Sequence, residues 1–331
     1  MSEGLSRRSF LTAAGTAAAG LALATAGGAL ASPSRARTGV VTADKLGIQL
    51  WTCLGAYAAN TDATFQAIKS IGYAYVEYAF GYGSFTDPKA YRKSLDDNGL
   101  WCIGGHDRSP YPWDANAWKQ YVENSMIVGV KNLGHNTTFP TTYSETMKYI
   151  EAVHKGHEVA RSMGFKGYLY NHMEAAQWAK LTDRPSIYAV ELVLQHTTKD
   201  IYNTELDTAH ALAPLGTLAA VNKMIRRHPH RWPLYHMKDG VGPVAMPDGS
   251  YPALPVNATP FGIGDFGRPD LNDPNNRPHA GFQDLLTAVR ETQDWKDVYL
   301  MAETDGSQAT CVDYAKPCYD GLKGLKFSYR G

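Results

Sequence analysis

Trp232-Pro-Leu-Tyr-His-Met-Lys-Asp239 reads as a short apolar strand that ends in chemistry. Residues two apart on a strand point to the same face, so His236 and Lys238 project together from its end. A buried strand delivering an imidazole and an ammonium to one place is poorly explained by packing. Working outward, the chain repeats the pattern. Further apolar strands are expected at 46–52, 73–79, 100–104, 130–133, 165–170, 201–207 and 298–303. Most end in, or lead to, a residue that can bind a metal or move a proton.

Between these strands lie segments of helical period. Phe65, Ile68 and Ile71 fall on one face of a helix that Gly72 ends, and Asp87-Pro88 opens another that Asn98-Gly99 closes. Further helices are expected at 115–128, 143–163, in parts of 174–198, at 215–226, at 282–291 and within 307–323. Eight strands alternating with about eight helices is the count of a parallel (β/α)8 TIM barrel, an α/β fold of about this size. A doubly wound open sheet would also alternate. It carries a Gly-rich loop after its first strand, and Thr52-Cys53-Leu54-Gly55 is not that fingerprint. Residues 240–281 break the rhythm, being rich in Gly, Pro, Asn and Asp. A loop of that length after strand seven lies at the active-site end of a barrel and is expected to be a lid or substrate loop.

The start of the chain is not expected to be part of the fold. Ser6-Arg7-Arg8-Ser9-Phe10-Leu11 is a twin-arginine pattern, followed by an Ala/Gly-rich run and an Ala29-Leu30-Ala31 cleavage site. Ala and Gly dominate that run, which argues against a membrane-spanning helix. Residues 1–31 are therefore expected to be a signal peptide, 32–44 a flexible linker and 45–331 a single barrel domain. The product would be exported, periplasmic or secreted, with no stable membrane anchor. Beyond residue 31 the body has 30 basic and 31 acidic residues, and no basic patch that would suit nucleic acid. The cysteines at 53, 102, 311 and 318 match no zinc pattern. On one helix Cys311 and Cys318 would stand about 10 Å apart, too far to bridge unless Pro317 breaks it, so buried free thiols are expected.

In a barrel the strand ends share one face. Arriving there would be Glu77, His106, His135, Asn171 with His172 and Glu174, Asp207 with His210, His236 with Lys238, and Glu303. Carboxylates and imidazoles meeting from separate strands suit a divalent cation such as Mn²⁺, Mg²⁺, Co²⁺ or Zn²⁺. Each has a plainer reading: His135 as a loop cap, Glu77 paired on the rim, His210 merely orienting Asp207. Asp207, His236 and Glu303 stand apart, because each closes an apolar strand where an unpaired charge is costly. Trp51, Tyr57, Tyr78, Phe80, Tyr82 and Trp113 lie near strand ends, where they would stack on a sugar face or simply pack.

Taken in order, Gly47-Ile-Gln-Leu-Trp-Thr52, Ile71-Gly-Tyr-Ala-Tyr-Val-Glu77, Gly99-Leu100 leading to His106, Tyr170-Asn-His172, Glu205-Leu-Asp207, His236-Met-Lys-Asp239, Gly262-Ile-Gly264 and Ala302-Glu303 resemble the sugar phosphate isomerase/epimerase group. These are the xylose isomerase-like barrels, and the resemblance runs from about Leu46 to Leu325. It implies a divalent metal held by a Glu after strand five, an Asp after strand six, a His after strand seven and a Glu after strand eight. The last three carry over to Asp207, His236 and Glu303. Tyr170 stands where many relatives have the glutamate, leaving Glu174 or His172 to substitute; Glu174 is taken as the fourth ligand.

The implied activity is isomerisation or epimerisation of a sugar or keto-sugar through an enediolate. Glu303 or His172 would be the base, Lys238 would position oxygen, and His106, Glu77, Trp51 and His210 would contact substrate. The same proton abstraction gives a lyase or hydratase on keto-sugars or inositol derivatives if a leaving group is present. Two other classes stay open. Asp207-x-x-His210 echoes abasic-site nucleases, against which near-neutral charge and export weigh, and a barrel that lost its metal would be a non-catalytic carbohydrate-binding protein. The expected partners are a small-molecule carbohydrate, the twin-arginine translocase during export, and a second copy of the chain if the barrel forms a homo-oligomer. Nucleic acid is not among them.

Overall fold

Eight short parallel strands set the architecture: β1 (Leu46–Gln49), β2 (Tyr75–Tyr78), β3 (Trp101–Gly105), β4 (Leu133–His135), β5 (Leu169–Met173), β6 (Tyr202–Asp207), β7 (Leu234–Met237) and β8 (Tyr299–Ala302). They are seen in a computed structural model that describes residues 36–240, 258–259, 280–304 and 311–330. Ladder pairing runs β3-β2-β1-β8-β7-β6-β5-β4. The ring closes between β3 and β4, where Lys131 N donates to Cys102 O at 3.1 Å and Asn132 N to Ile103 O at 2.9 Å. The result is a nearly closed (β/α)8 barrel of the expected class, with helices between the strands.

Helices α1 (Thr61–Ile71), α2 (Pro88–Asp97), α3 (Ala115–Val128), α4 (Tyr143–Ser162), α5 (Ala189–His196), α6 (Leu218–Arg227), α7 (Ala280–Thr292) and α8 (Cys311–Leu322) lie between or after the strands. Their starts follow local chemistry. Asn60, Asp87, Asp114, Thr142 and Thr217 each accept a backbone N–H from the first turn of the helix they precede. Outward strand residues such as Ile48, Val76, Leu206, Tyr235 and Leu300 join the helix faces in one large apolar layer. Inside the ring a separate, smaller cluster of Ile103, Tyr170, Leu234, Tyr299 and Met301 plugs the lower half. Above this plug the interior turns polar.

Several expectations need correction. Ala36–Val40, read as linker, is a strand pairing antiparallel with Lys326–Arg330. Its Ala-Arg-Thr-Gly-Val sequence has no alternation, and its partner is supplied by the far end of the chain. Strand five is shifted toward the mouth, so His172 lies within β5 rather than beyond it. After Gln49 the chain leaves the extended state for a 3₁₀ turn, Leu50–Cys53, shortening strand one. Cys53 is disulfide-bonded, against the expected free thiol, whereas Cys102 and Cys318 are buried outside any disulfide, so Cys311 and Cys318 do not pair. The signal at 1–31 and nearly all of the 240–281 loop lie outside the described residues. Among the described residues no helix is long and apolar enough to cross a membrane.

Candidate active site

The polar half of the barrel holds two tiers that share His236. In the upper tier, Asp207 ends β6 and caps the helix Thr208–Leu215: its Oδ1 accepts from Ala209 N and His210 N, both at 2.9 Å. That leaves Oδ2 facing inward, 3.3 Å from His172 Nε2, 3.1 Å from Lys238 Nζ and 3.8 Å from His236 Nδ1. Glu303 comes from the end of β8. Its Oε1 lies 3.2 Å from Lys238 Nζ and its Oε2 meets His236 Nδ1. Single ligand-type atoms of His172, Asp207, His236 and Glu303 all lie within 4.8 Å of one another, and all four residues are buried.

The lower tier contains Glu77 from β2, Glu205 from β6 and His106 after β3. His236 Nε2 lies 2.7 Å from Glu77 Oε2 and 3.1 Å from Glu205 Oε1. His106 Nε2 lies 3.3 Å from Glu205 Oε2. Tyr170 donates its hydroxyl to Glu77 Oε1. Sequence reading missed Glu205, yet a signal was available: it stands two residues before Asp207, so it faces the same way.

Charge in this pocket is set by competition. Burial opposes ionisation of Asp207, but Lys238, His210 and the hydrogen bond to His172 hold its carboxyl well below the usual range. Burial likewise opposes charge on Glu303, and Lys238 with His236 overcomes it, holding that carboxyl low. Burial alone would strip the proton from His236, but Glu205, Glu303 and Glu77 hold it well above the usual imidazole value. His172 goes the other way: burial, reinforced by His236 and His106, keeps it neutral.

Four upper-tier residues fit a divalent cation. Two anionic carboxylates and the neutral His172 imidazole are ready donors, and His236 becomes one by releasing a proton as the ion binds. His236 Nδ1 and Glu303 Oε2 converge without hydrogen-bond geometry and are both buried and unsatisfied, as two ligand atoms sharing an ion would be. A carboxylate on the far nitrogen of His236 is the usual arrangement behind a ligating histidine.

A cavity opens above, lined by Trp51, Phe80, His106, His172, Glu174, His210, Lys238 and Glu303 among others. Trp51, His106 and His210 thus reach the expected substrate space, and Lys238 reaches both cavity and carboxylates. Glu77 does not. It is fully buried one tier down, beneath His106, and is not among the residues lining the cavity, which corrects its expected contact with substrate. Glu174, expected as the fourth ligand, sits at the rim with its side chain 41% exposed, bonded to Asn136 and 3.9 Å from His172 Nδ1. His172 takes the place in the cluster, because inward positions on β5 are 170 and 172 and only the latter reaches the upper tier. His135 turns outward, its Nε2 2.8 Å from the Tyr149 hydroxyl of α4. Of the six aromatics, Trp51 and Phe80 meet edge to face at 5.8 Å on the cavity wall. Tyr57, Tyr78 and Tyr82 pack around Tyr91, and Trp113 lies under Lys155.

No protein-family model matches the chain, and none of the curated proteins does. Solved structures do. A sugar phosphate isomerase/epimerase from Parabacteroides distasonis ATCC 8503 aligns over 85% of this chain and 93% of its own, at TM-score 0.57 and 17% identity. An L-ribulose 3-epimerase aligns over 83% and 92%, at TM-score 0.56 and 14% identity. A xylose isomerase-like TIM barrel protein from Mycobacterium smegmatis, in complex with magnesium, aligns over 85% and 96%, at TM-score 0.56 and 12% identity. At such identities the likeness shows the fold: a xylose isomerase-like (β/α)8 barrel.

Proposed function

We propose that the chain is a divalent-metal-dependent isomerase or epimerase of a sugar or keto-sugar. The observation that carries this is the convergence of His172, Asp207, His236 and Glu303 at the barrel mouth, with ligand-type atoms within 4.8 Å. These four residues would hold the ion. When bound, it would supply Lewis acidity toward a carbonyl oxygen and its neighbouring hydroxyl, easing loss of the C–H proton between them. The named activities of the fold neighbours, one of them an epimerase, support the class.

The chain's own groups divide the remaining work. Lys238 Nζ faces the cavity from between Asp207 and Glu303. There it would donate to the substrate oxygen on which charge develops, in a site largely shielded from water. Glu303, held ionised and lining the cavity, would take the C–H proton. His172 lines the cavity too and stacks on His106 with ring centroids 4.5 Å apart. His106, whose proton Glu77 and Glu205 hold against the opposing effect of burial, would give a proton to the adjacent carbon or to the opposite face. His210 would bond a hydroxyl farther along the sugar, and the Trp51–Phe80 corner would lie against its apolar face.

Export belongs to the same proposal. The twin-arginine pattern at Ser6–Leu11 and a disulfide at Cys53 both suit an oxidising compartment. The experiment is proton exchange. Metal-loaded protein incubated with a panel of keto-sugars in deuterated water should wash deuterium into the carbon beside the carbonyl, and a chelator should stop it. No exchange across the panel by the metal-loaded protein would count against the reading.

A further inference from the structure

We propose that Glu77, anchored by Tyr170, is a positioning residue that fixes which nitrogen of His236 faces the cation; this rests on the metal reading above. His236 meets a carboxylate at each nitrogen, but only Nε2 has hydrogen-bond geometry, 2.7 Å from Glu77 Oε2, so when a cation displaces one ring proton it is Nε2 that keeps its own. Nε2 of His236 is therefore the donor to Glu77 Oε2, and the charge of Glu205 Oε1, 3.1 Å away, favours a proton on the same nitrogen. Nδ1 is left as the ligand atom, and it is the one facing Asp207 Oδ2 and Glu303 Oε2. Reversed, the ring would turn its lone pair toward the lower carboxylates and its N–H toward the metal position.

Glu77 is itself held. Its Oε1 accepts from the Tyr170 hydroxyl, which crosses the barrel from β5. The crossing needs room. A Cβ at Gly104 would stand 2.4 Å from Tyr170 Oη, and one at Gly134 2.3 Å from its Cζ. Two strands thus carry glycine where the tyrosine ring passes. The tyrosine at the position where the resemblance leads one to expect a metal-binding glutamate is, on this account, part of the metal site at one remove. Glu77 and Glu205 also gather with His106 and His236 closely enough to suggest a second cation. Both oxygens of Glu77 already accept hydrogen bonds, so the lower tier works as a support.

The test compares cobalt(II) binding by the full chain and its variants, using chelator competition for affinity and visible absorption for ligand geometry. Glu77→Gln should weaken binding about ten- to a hundredfold and shift the cobalt band, while the metal-free protein still melts cooperatively. Should Glu77→Gln not fold, Tyr170→Phe carries the test, with an expected loss of about three- to tenfold. Asp97→Asn, on the exposed face of α2 and outside the site, should stay within about twofold of wild type. Variants with wild-type affinity and spectrum, beside a wild-type chain that binds cobalt, would overturn the positioning role alone. A wild-type chain that takes up no cobalt would overturn the metal reading and this proposal with it.

Discussion

Lys238 shows most plainly what single residues do in this barrel. It is almost wholly buried, with its ammonium 3.1 Å from Asp207 and 3.2 Å from Glu303. Removing one partner from a buried ion pair leaves uncompensated charge, at a cost of about 3–5 kcal/mol. Lys238→Met should therefore destabilise the metal-free protein by about that amount in urea denaturation with chelator present, and added metal should recover part of it. The pH dependence follows from the same pair. Asp207 and Glu303 have folded values depressed below their unfolded ones. Their contribution is complete above the ordinary carboxylate range, about pH 4, and is lost as pH falls through the lower folded values. Denaturation of the chelated wild type should show that acid loss, and Lys238→Met should show less of it. At this scale the sequence was largely legible where a charged residue closes an apolar strand, as at Asp207, His236 and Glu303. It was less so where a neighbour decides the role. Glu77 looks like a rim residue until Tyr170, far away in the chain, is seen to bond it, and Glu205 is masked by Asp207 two residues on.

Among the elements, helix starts and strand order were readable because caps and periodicity are local. Register was not. Whether β5 ends at 170 or 173 depends on ladder pairing with β6, where His172 stands opposite Glu205. That offset decides whether position 172 or 174 enters the upper tier. The strand Ala36–Val40 was invisible for a related reason: its partner is Lys326–Arg330, and nothing in its own five residues favours a strand. It ties the chain's described ends together beneath Phe327, which is buried. A chain beginning at residue 42 should melt below one beginning at residue 36. Losing a few ladder hydrogen bonds costs about 2–4 kcal/mol, or about 3–7 °C at this size, in calorimetry. Equal melting temperatures would mean that the pairing contributes nothing.

For the molecule as a whole, the barrel separates its tasks along its axis. An apolar plug fills the lower interior, a hydrogen-bonded tier of carboxylates and imidazoles lies over it, and the upper tier opens on the cavity. Asp207, His236 and Glu303 are widely spaced in sequence, and only closure of the ring brings them together. The most direct test is to count metal in the purified full chain after exposure to Mn²⁺, Co²⁺ or Zn²⁺ and extensive dialysis, beside Asp207→Asn. Asparagine caps a helix as well as aspartate does, and Glu303 remains 3.2 Å from the Lys238 ammonium, so the variant should keep its fold. Wild type should retain about one divalent ion per chain and Asp207→Asn far less, given that even an outer-layer change costs about ten- to a hundredfold in affinity. Wild type retaining less than about a tenth of an equivalent, or Asp207→Asn retaining as much as wild type, would contradict a cation held by these residues.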